Sequence, residues 1–560
     1  MDKTHREGVL RPGLLAIASG GLGALSITMP ALHWVIWFAF VPLFLALQGR
    51  AWRARLLLGL LMGVVYFGGG CYWLWGSLAR FFAFSPLVSS LVFASFLLWH
   101  GLALALFAAA LRGDGSPIRQ LLVPPLVWVV VEQLYPTLFP WPLGNALQPH
   151  LPFLQLAEIC GPAGLGFLVI LVNSLLMRAS ESYAGTLAGP LSPGGRETER
   201  GGVKERGGDS WQTPSPIEGE GKTGLQVSHG QGSRLRPLLA ASLILLALDG
   251  YGRWRIQMLE TEPPTADTLT VAVIQGNTPA TREVSEEAFR QSWRTYERLT
   301  LAAADMKPAL IIWPEVALRT FLLEDAEARA ALFALVEQVR TPLLTGALSH
   351  TPHGQQHNQA FLISPAGEVF GGYQKQRLLP FAESLPWPLS NLSNLSGFSD
   401  WWPGADFAPG ADAPPLMLPG ARFAMSICYE VMIPGFFRRA VLDGADFLVT
   451  LTNDAWLGDT SAPWQHLRAA TLRAVESRRW LVRAANSGVS AVVAPSGRIL
   501  ERTDMFAEAT LHHSIALRTE LTFYTRWGEW VVVASLGGLV LLLWRDLRDI
   551  AGRIIHRKQR

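Results

Sequence analysis

Three side chains in the second half of the chain have the types and settings that acyl transfer needs: Glu315, Lys375 and Cys428. Cys428 closes the apolar run 423–427 (Phe-Ala-Met-Ser-Ile) and is followed by Tyr429 and Glu430. A strand over 422–427 puts this thiol on a strand-to-helix turn, where backbone N–H groups around Tyr429 can face a developing oxyanion. Glu315 follows Leu-Ile-Ile-Trp-Pro (310–314), in which Pro314 cannot donate to a ladder and so ends the strand. A carboxylate at that point is a candidate general base. Lys375 lies just past Gly-Gly-Tyr-Gln (371–374), with Glu383 shortly after it. Its ammonium can steady an oxyanion and favour a nearby thiolate. Singly, each has an ordinary reading: a Glu or Lys after a strand is usually solvated, and one Cys in an apolar run is usually a small core residue. Glu430 is placed either to orient a neighbour or to make a structural hydrogen bond.

The elements that must position these groups begin near Thr268, where strands alternate with amphipathic helices in the manner of an α/β domain. Strands are expected at 268–274, 309–313, 343–347, 359–363, 369–373, 422–427 and 445–450, and helices at 286–304, 324–339, 435–442 and 464–479. A domain over 268–525, roughly 250 residues, is large enough to bury its own core.

The remainder of the chain is of a different kind. Of 560 residues, 50% are hydrophobic and 16% charged, against about 25% charged in soluble chains, so the protein is integral to a membrane. A helix of roughly 20 apolar residues crosses a bilayer, and the runs at 13–28, 32–47, 56–78, 86–111, 121–138, 163–177, 238–251 and 530–544 read as eight spans. Six of them make a membrane domain over 1–178, the seventh is 238–251, and the eighth falls within 528–545 ahead of a basic tail, 546–560. The first is read as an uncleaved helix, since the second follows at once. The Gly-, Ser-, Pro- and Arg-rich segment 179–237 buries too little apolar surface to fold and is expected to be a disordered cytoplasmic loop. Lys and Arg gather before the first span, in alternate loops and in the tail, which by the positive-inside rule makes both termini cytoplasmic and the 268–525 domain external. A net charge of +3 gives no basis for nucleic-acid binding.

The stretch 381–402 is too apolar for an ordinary exposed loop: Trp387, Phe398 and Trp401 suit a lid at headgroup level, the alternative being a loop packed on its own domain. Trp456 and Tyr429 are candidates to line an acyl pocket. His466, His512 and His513 have no partners at ligand spacing, so no metal or cofactor is expected. Cys71 and Cys160 do not suggest a disulfide framework.

In their chain order Glu315, Lys375 and Cys428 resemble the Glu-Lys-Cys triad of the nitrilase superfamily, over about 268–516. The segments VIQGN (273–277), IIWPE (311–315), LLPFAE (378–383), SICYE (426–430), LTNDAWLG (451–458) and RAANSG (483–488) resemble one branch, the apolipoprotein N-acyltransferases of bacterial envelopes, as does the placing of seven spans before the domain and one after. The resemblance implies a four-layer αββα sandwich with Glu315 as base, Lys375 as stabiliser of the tetrahedral intermediate, Cys428 as the nucleophile that becomes a thioester, and Glu383 as an additional glutamate beside them. It also implies a phospholipid acyl donor, a diacylated apolipoprotein acceptor, a monomer, and the bacterial inner membrane with the catalytic domain in the periplasm. One departure is that residues 278–284 lack the Trp common in that branch after its QGN block. Two other readings remain open: a membrane-anchored amidase or nitrilase of small carbon–nitrogen substrates, and a silent scaffold or transporter. The complete triad weighs against silence, and the scarcity of ionisable residues in the spans weighs against transport.

Overall fold

A computed structural model describes residues 3–112, 116–187, 229–262, 267–279, 285–351, 354–386 and 407–558. Six of its helical stretches are long and apolar enough to cross a membrane: Leu10–Thr28, Pro30–Leu47, Trp52–Gly70, Pro86–Ala110, Ala157–Ser180 and Leu235–Thr261. The apolar part of the last helix, Trp530–Trp544, is shorter. Pro117–Leu134, which occupies the fifth expected span, carries Pro124, Pro125, Arg119 and Glu132 and is not among the six.

Several boundaries differ from those expected. The run 56–78 is not one helix: after the Gly-rich end of Trp52–Gly70 the chain turns at Cys71 and restarts as Trp73–Phe82. The new helix buries Trp73, Leu74 and Leu78 in a cluster shared with Val431, Phe437 and Leu457 of the α/β domain, so what reads as the end of a span is an amphipathic helix docked beneath that domain. Helices also extend into both ends of 179–237, as Ala157–Leu187 and His229–Thr261; the intervening 188–228 lies outside the described residues.

Among the described residues the α/β domain has twelve strands. β1 (Thr268–Gln275), β2 (Leu310–Ile312), β3 (Leu343–His350), β4 (Gln356–Ile363), β5 (Val369–Gln374) and β12 (Ala509–Ala516) form one sheet in the order β12-β1-β2-β3-β4-β5. The other contains β6 (Leu416–Leu418), β7 (Ala421–Ile427), β8 (Phe447–Thr452), β9 (Leu481–Ala485), β10 (Ala491–Val493) and β11 (Ile499–Arg502) in the order β11-β10-β9-β8-β7-β6. In each sheet three central strands run parallel and the outer ones antiparallel. Alternate residues face opposite ways along a strand. Val271, Val273, Leu310, Ile312, Phe423 and Met425 therefore meet between the sheets, while Ala272, Ile274, Ile311 and Trp313 face the helices Glu286–Ala304 and Ala326–Val339. On the far side Ala424, Leu448 and Leu481 pack on the helix Ala462–Ser477. The result is the expected helix–sheet–sheet–helix sandwich.

The Ala462–Ser477 helix is also the seat on the membrane half. Gln465 accepts from Trp73 Nε1 at 3.1 Å and donates to the Gly70 carbonyl at 2.9 Å, and Arg468 Nη1 donates to the Ile27 carbonyl at 2.7 Å. Both carbonyls belong to the last turn of a membrane helix, where no intrahelical donor remains. Just beyond, Arg478 donates to Glu158 Oε2 at 2.8 Å, and Glu158 also accepts from Arg255 Nε at 2.8 Å and Tyr251 Oη at 2.6 Å. Glu158→Ala would leave the buried Arg478 guanidinium without its counter-charge, a loss of about 3–5 kcal/mol. The thermal unfolding midpoint in detergent should fall well below that of the wild type; an unchanged midpoint would remove this cluster from the account of how the two halves are joined.

Candidate active site

The three candidate groups sit at neighbouring strand ends, at the membrane-facing edge of the inter-sheet core. Glu315 lies three residues past the end of β2. Its loop is held against β3, where Gly346 donates to the Pro314 carbonyl at 3.2 Å. A side chain at Gly346 would place Cβ 2.5 Å from Val316 N and 2.8 Å from Glu315 Cα, so only glycine lets the loop lie this close. Val316 has φ +46, a left-handed conformation that is a genuine outlier for a β-branched residue. Lys375 follows β5 on the same face as Tyr373, pointing inward. Cys428 follows β7 directly, at φ +52, and opens the 3-10 turn Cys428–Met432. First-turn N–H groups have no partner inside their helix, and that of Tyr429 is among them.

Lys375 Nζ lies 2.8 Å from Glu383 Oε1 and 3.4 Å from Glu315 Oε1, and it is 2% exposed. Burial alone would lower its pKa, but the two carboxylates outweigh burial and hold the ammonium firmly charged. Glu315 also accepts from Asn358 Nδ2 at 2.7 Å and from the Asn453 N–H at 2.8 Å. Because Ile427 pairs with Leu451, the Asn453 amide emerges beside Cys428 and reaches the carboxylate from the opposite sheet. Burial pushes the Cys428 thiol above its ordinary pKa, the Glu315 charge adds to this, and Lys375 opposes it. The thiol is therefore protonated at rest. The arrangement holds a carboxylate for its proton and an ammonium for the negative charge that follows.

Glu430 is a clamp. One carboxylate oxygen accepts from Gln376 N (2.6 Å) and Arg377 N (2.8 Å), the other from Ile427 N (2.7 Å) and Tyr373 Oη (2.9 Å). It thus ties the chain after Lys375 to the residue before Cys428. Tyr429 is not among the described residues lining the cavity, and its ring packs 6.5 Å from that of Phe139, which is. Trp456 does line the cavity, its ring 5.6 Å from Phe81. Trp387, Phe398 and Trp401 lie outside the described residues.

Two features escape sequence reading. Asn358 bonds both Glu315 and Glu383; the signal available was a polar residue on the face of β4 that carries Ala360 and Leu362 into the core. Behind the nucleophile, His466 Nε2 lies 3.0 Å from the Cys428 carbonyl and Nδ1 lies 2.9 Å from Asp454, which is paired with Arg483 at 2.6 Å. Burial disfavours the Asp454 carboxylate, but Arg483 and then His466 outweigh it and keep it ionised. A carbonyl only accepts, so His466 Nε2 carries hydrogen and pins the left-handed turn.

Glu315, Lys375, Glu383 and Cys428 open onto a cavity of about 1500 Å³. Its lining also includes residues of the membrane half, among them Leu78, Phe81, Leu91, Phe96 and Phe139. Since the thiol is held protonated, alkylation of Cys428 by a neutral haloacetamide should show no thiolate titration around pH 8.5, where a free cysteine ionises. An inflection near or below that value, measured as the rate of mass gain against pH, would contradict the electrostatics described.

The family model for the apolipoprotein N-acyltransferase N-terminal domain matches residues 19–175, and that for carbon-nitrogen hydrolases matches 270–520. Among solved structures, the chain is similar to a carbon-nitrogen hydrolase from Helicobacter pylori G27 (17% identity, TM-score 0.37, 47% of this chain and 95% of that one). Another is an amidase from Nesterenkonia sp. AN1 (21% identity, TM-score 0.35, 48% and 99%). Proteins named apolipoprotein N-acyltransferase align over almost the whole chain: one from Geobacter metallireducens at 30% identity, covering 96% of both, and one from Azotobacter vinelandii at 31%, covering 97% of both. With a similarity that spans the membrane half and the hydrolase-like half together, this chain belongs to the apolipoprotein N-acyltransferase family of enzymes.

Proposed function

We propose that the protein moves an acyl chain from a membrane phospholipid to the free α-amine of the N-terminal diacylglyceryl-cysteine of apolipoproteins, through a thioester on Cys428. The observation that carries this reading is the shared cavity, with a nucleophile and base at one end and apolar walls drawn from membrane helices at the other. Its volume of about 1500 Å³ exceeds the roughly 300–1,000 Å³ of small-molecule sites and suits substrates with long chains. A hydrolase of small soluble amides has no use for such a wall.

In the first half-reaction Glu315 takes the thiol proton as Sγ attacks the ester carbonyl, and Lys375 with the Tyr429 N–H steadies the oxyanion. The C–O bond breaks, Glu315 returns the proton to the departing alkoxide, and a lysophospholipid leaves. In the second, the acceptor's amine attacks the thioester while Glu315 accepts its proton. Collapse of the tetrahedral adduct forms the amide, and the thiolate recovers the proton from Glu315. Donor and acceptor use one site in turn, which gives ping-pong kinetics. Eight spans with both termini cytoplasmic and the α/β domain periplasmic fit this chemistry, because they place the site at the outer leaflet. The enzyme works as a monomer on this reading.

Intact mass of the detergent-purified protein incubated with phospholipid alone should rise by one acyl group. Cys428→Ser should show no thioester gain, and a diacylated lipopeptide with a free amine should discharge the wild-type adduct into a triacylated product. Folded protein that gains no acyl group would sink the reading, and discharge by water as fast as by the lipopeptide would favour the amidase.

A further inference from the structure

We propose that Arg80 is a binding residue for the phosphodiester of the lipid acyl donor, and hence that it sets the preference for phospholipid over an uncharged glyceride. This rests on the phospholipid-donor reading above and adds to it the group on the enzyme that recognises the headgroup.

Arg80 lies in the last turn of Trp73–Phe82 and lines the same cavity as Cys428. Its partners among the described residues are all neutral oxygens: the Trp456 carbonyl, 3.3 Å from Nε, and the Leu457 carbonyl and Ser77 Oγ, 2.9 and 3.4 Å from Nη2. Carbonyls fix the orientation of a guanidinium but leave its charge unmatched. Nη1 makes no bond among the described residues, so N–H donors of the planar fork remain for an acceptor. Lys375, by contrast, is already matched by two carboxylates and faces the reacting carbonyl, so it leaves no unmatched charge for a headgroup phosphate.

The placement suits a phosphate. Asn453 N touches Glu315 at 2.8 Å, and Trp456, whose carbonyl Arg80 holds, is three residues on. Three residues span at most about 10 Å, and the 3-10 turn Ala455–Leu457 shortens this. In a diacylglycerophospholipid, a few bonds of glycerol separate the ester carbonyl from phosphorus, so an ester at Cys428 carries its phosphate toward Arg80. Tyr72 and Trp75 are 50% and 41% exposed on and just before the same helix, as aromatic residues at headgroup level are. The site is also preorganised. Gly458 has φ +71, and a Cβ there would sit 2.9 Å from Arg80 Cζ, so the bare backbone lets the guanidinium lie flat across the turn. Arginine binds phosphate in a bidentate way that lysine cannot.

Full-length enzyme in detergent would be given phosphatidylethanolamine, phosphatidylglycerol or the matched diacylglycerol, and the rate of acyl gain on Cys428 read by intact mass, for wild type, Arg80→Gln and Arg80→Lys. The wild type should acylate faster from both phospholipids than from diacylglycerol. Arg80→Gln should cut the phospholipid rates at least tenfold and bring the phospholipid-to-diacylglycerol ratio toward one, and Arg80→Lys should keep part of the preference. Equal loss on all three donors would mean that Arg80 only braces the Trp456 turn, and no loss would mean that it binds nothing; either overturns the assignment. Inhibition of the wild type by inorganic phosphate that vanishes in Arg80→Gln while the preference for phospholipid over diacylglycerol stays would make the site one for free phosphate and overturn it as well. A folded wild type acylated by none of the donors would instead sink the donor reading itself, and the role of Arg80 with it.

Discussion

A buried ammonium governs the geometry around it. Lys375 is almost wholly enclosed, and an isolated charge in such a place would neutralise itself by shifting its pKa. It stays charged because Glu383 and Glu315 converge on it, which requires the loops after β2 and β5 to end side by side. Asn358 from β4 then bonds both carboxylates and Asn453 from the second sheet bonds one, so the sandwich must hold its two sheets in a fixed relation for the cluster to exist. Two carboxylates to one ammonium leave the cluster net negative toward the thiol. That balance opposes a resting thiolate of the kind an ion pair would give and, on the mechanism proposed above, makes proton transfer to Glu315 part of the attack itself.

The helix Ala462–Ser477 links that chemistry to the membrane. One of its residues, His466, holds the carbonyl of Cys428; its neighbours Gln465 and Arg468 hold the ends of two membrane helices. Nucleophile and membrane wall are thus referred to one rigid element, with Arg478 fixing its far end to Glu158. Burying so many arginines does not by itself stabilise a fold, since desolvation offsets most of the attraction. What the contacts supply is a defined docking angle, because a misplaced domain would leave guanidinium groups buried without acceptors.

The strand-end placing of Glu315, Lys375 and Cys428 was legible in the sequence because each has its own local marker: Pro314 before Glu315, the Gly-Gly pair before Lys375, and the apolar run before Cys428. The helix over 286–304 was legible for a different reason, the 3.6-residue spacing of its apolar positions. β9 to β12 were not. β9 and β10 are buried on both faces and show no alternation to read, and β12 carries its identity in its pairing with β1. The break at Cys71 was hidden because Trp73–Phe82 is as apolar as the span before it; only the α/β domain that covers one of its faces distinguishes it. The seat of the Tyr429 ring beside Phe139 was not legible, because it depends on how the turn at Cys428 directs the next side chain.

On the function proposed above, Glu315, Lys375 and Cys428 alone do not explain why an amine and not water should receive the acyl chain, since the same carboxylate, ammonium and thiol serve either acceptor. On that reading the difference lies in what can reach the thioester. Walls such as Phe81, Phe96 and Phe139 offer water few hydrogen bonds, whereas a lipid-anchored cysteine arrives with its own chains to place against them. An acceptor confined to the same leaflet as the cavity also meets the thioester at a high effective concentration. Selectivity is then a property of the junction between the two halves of the molecule, and the membrane helices act as half of the active site as well as its anchor.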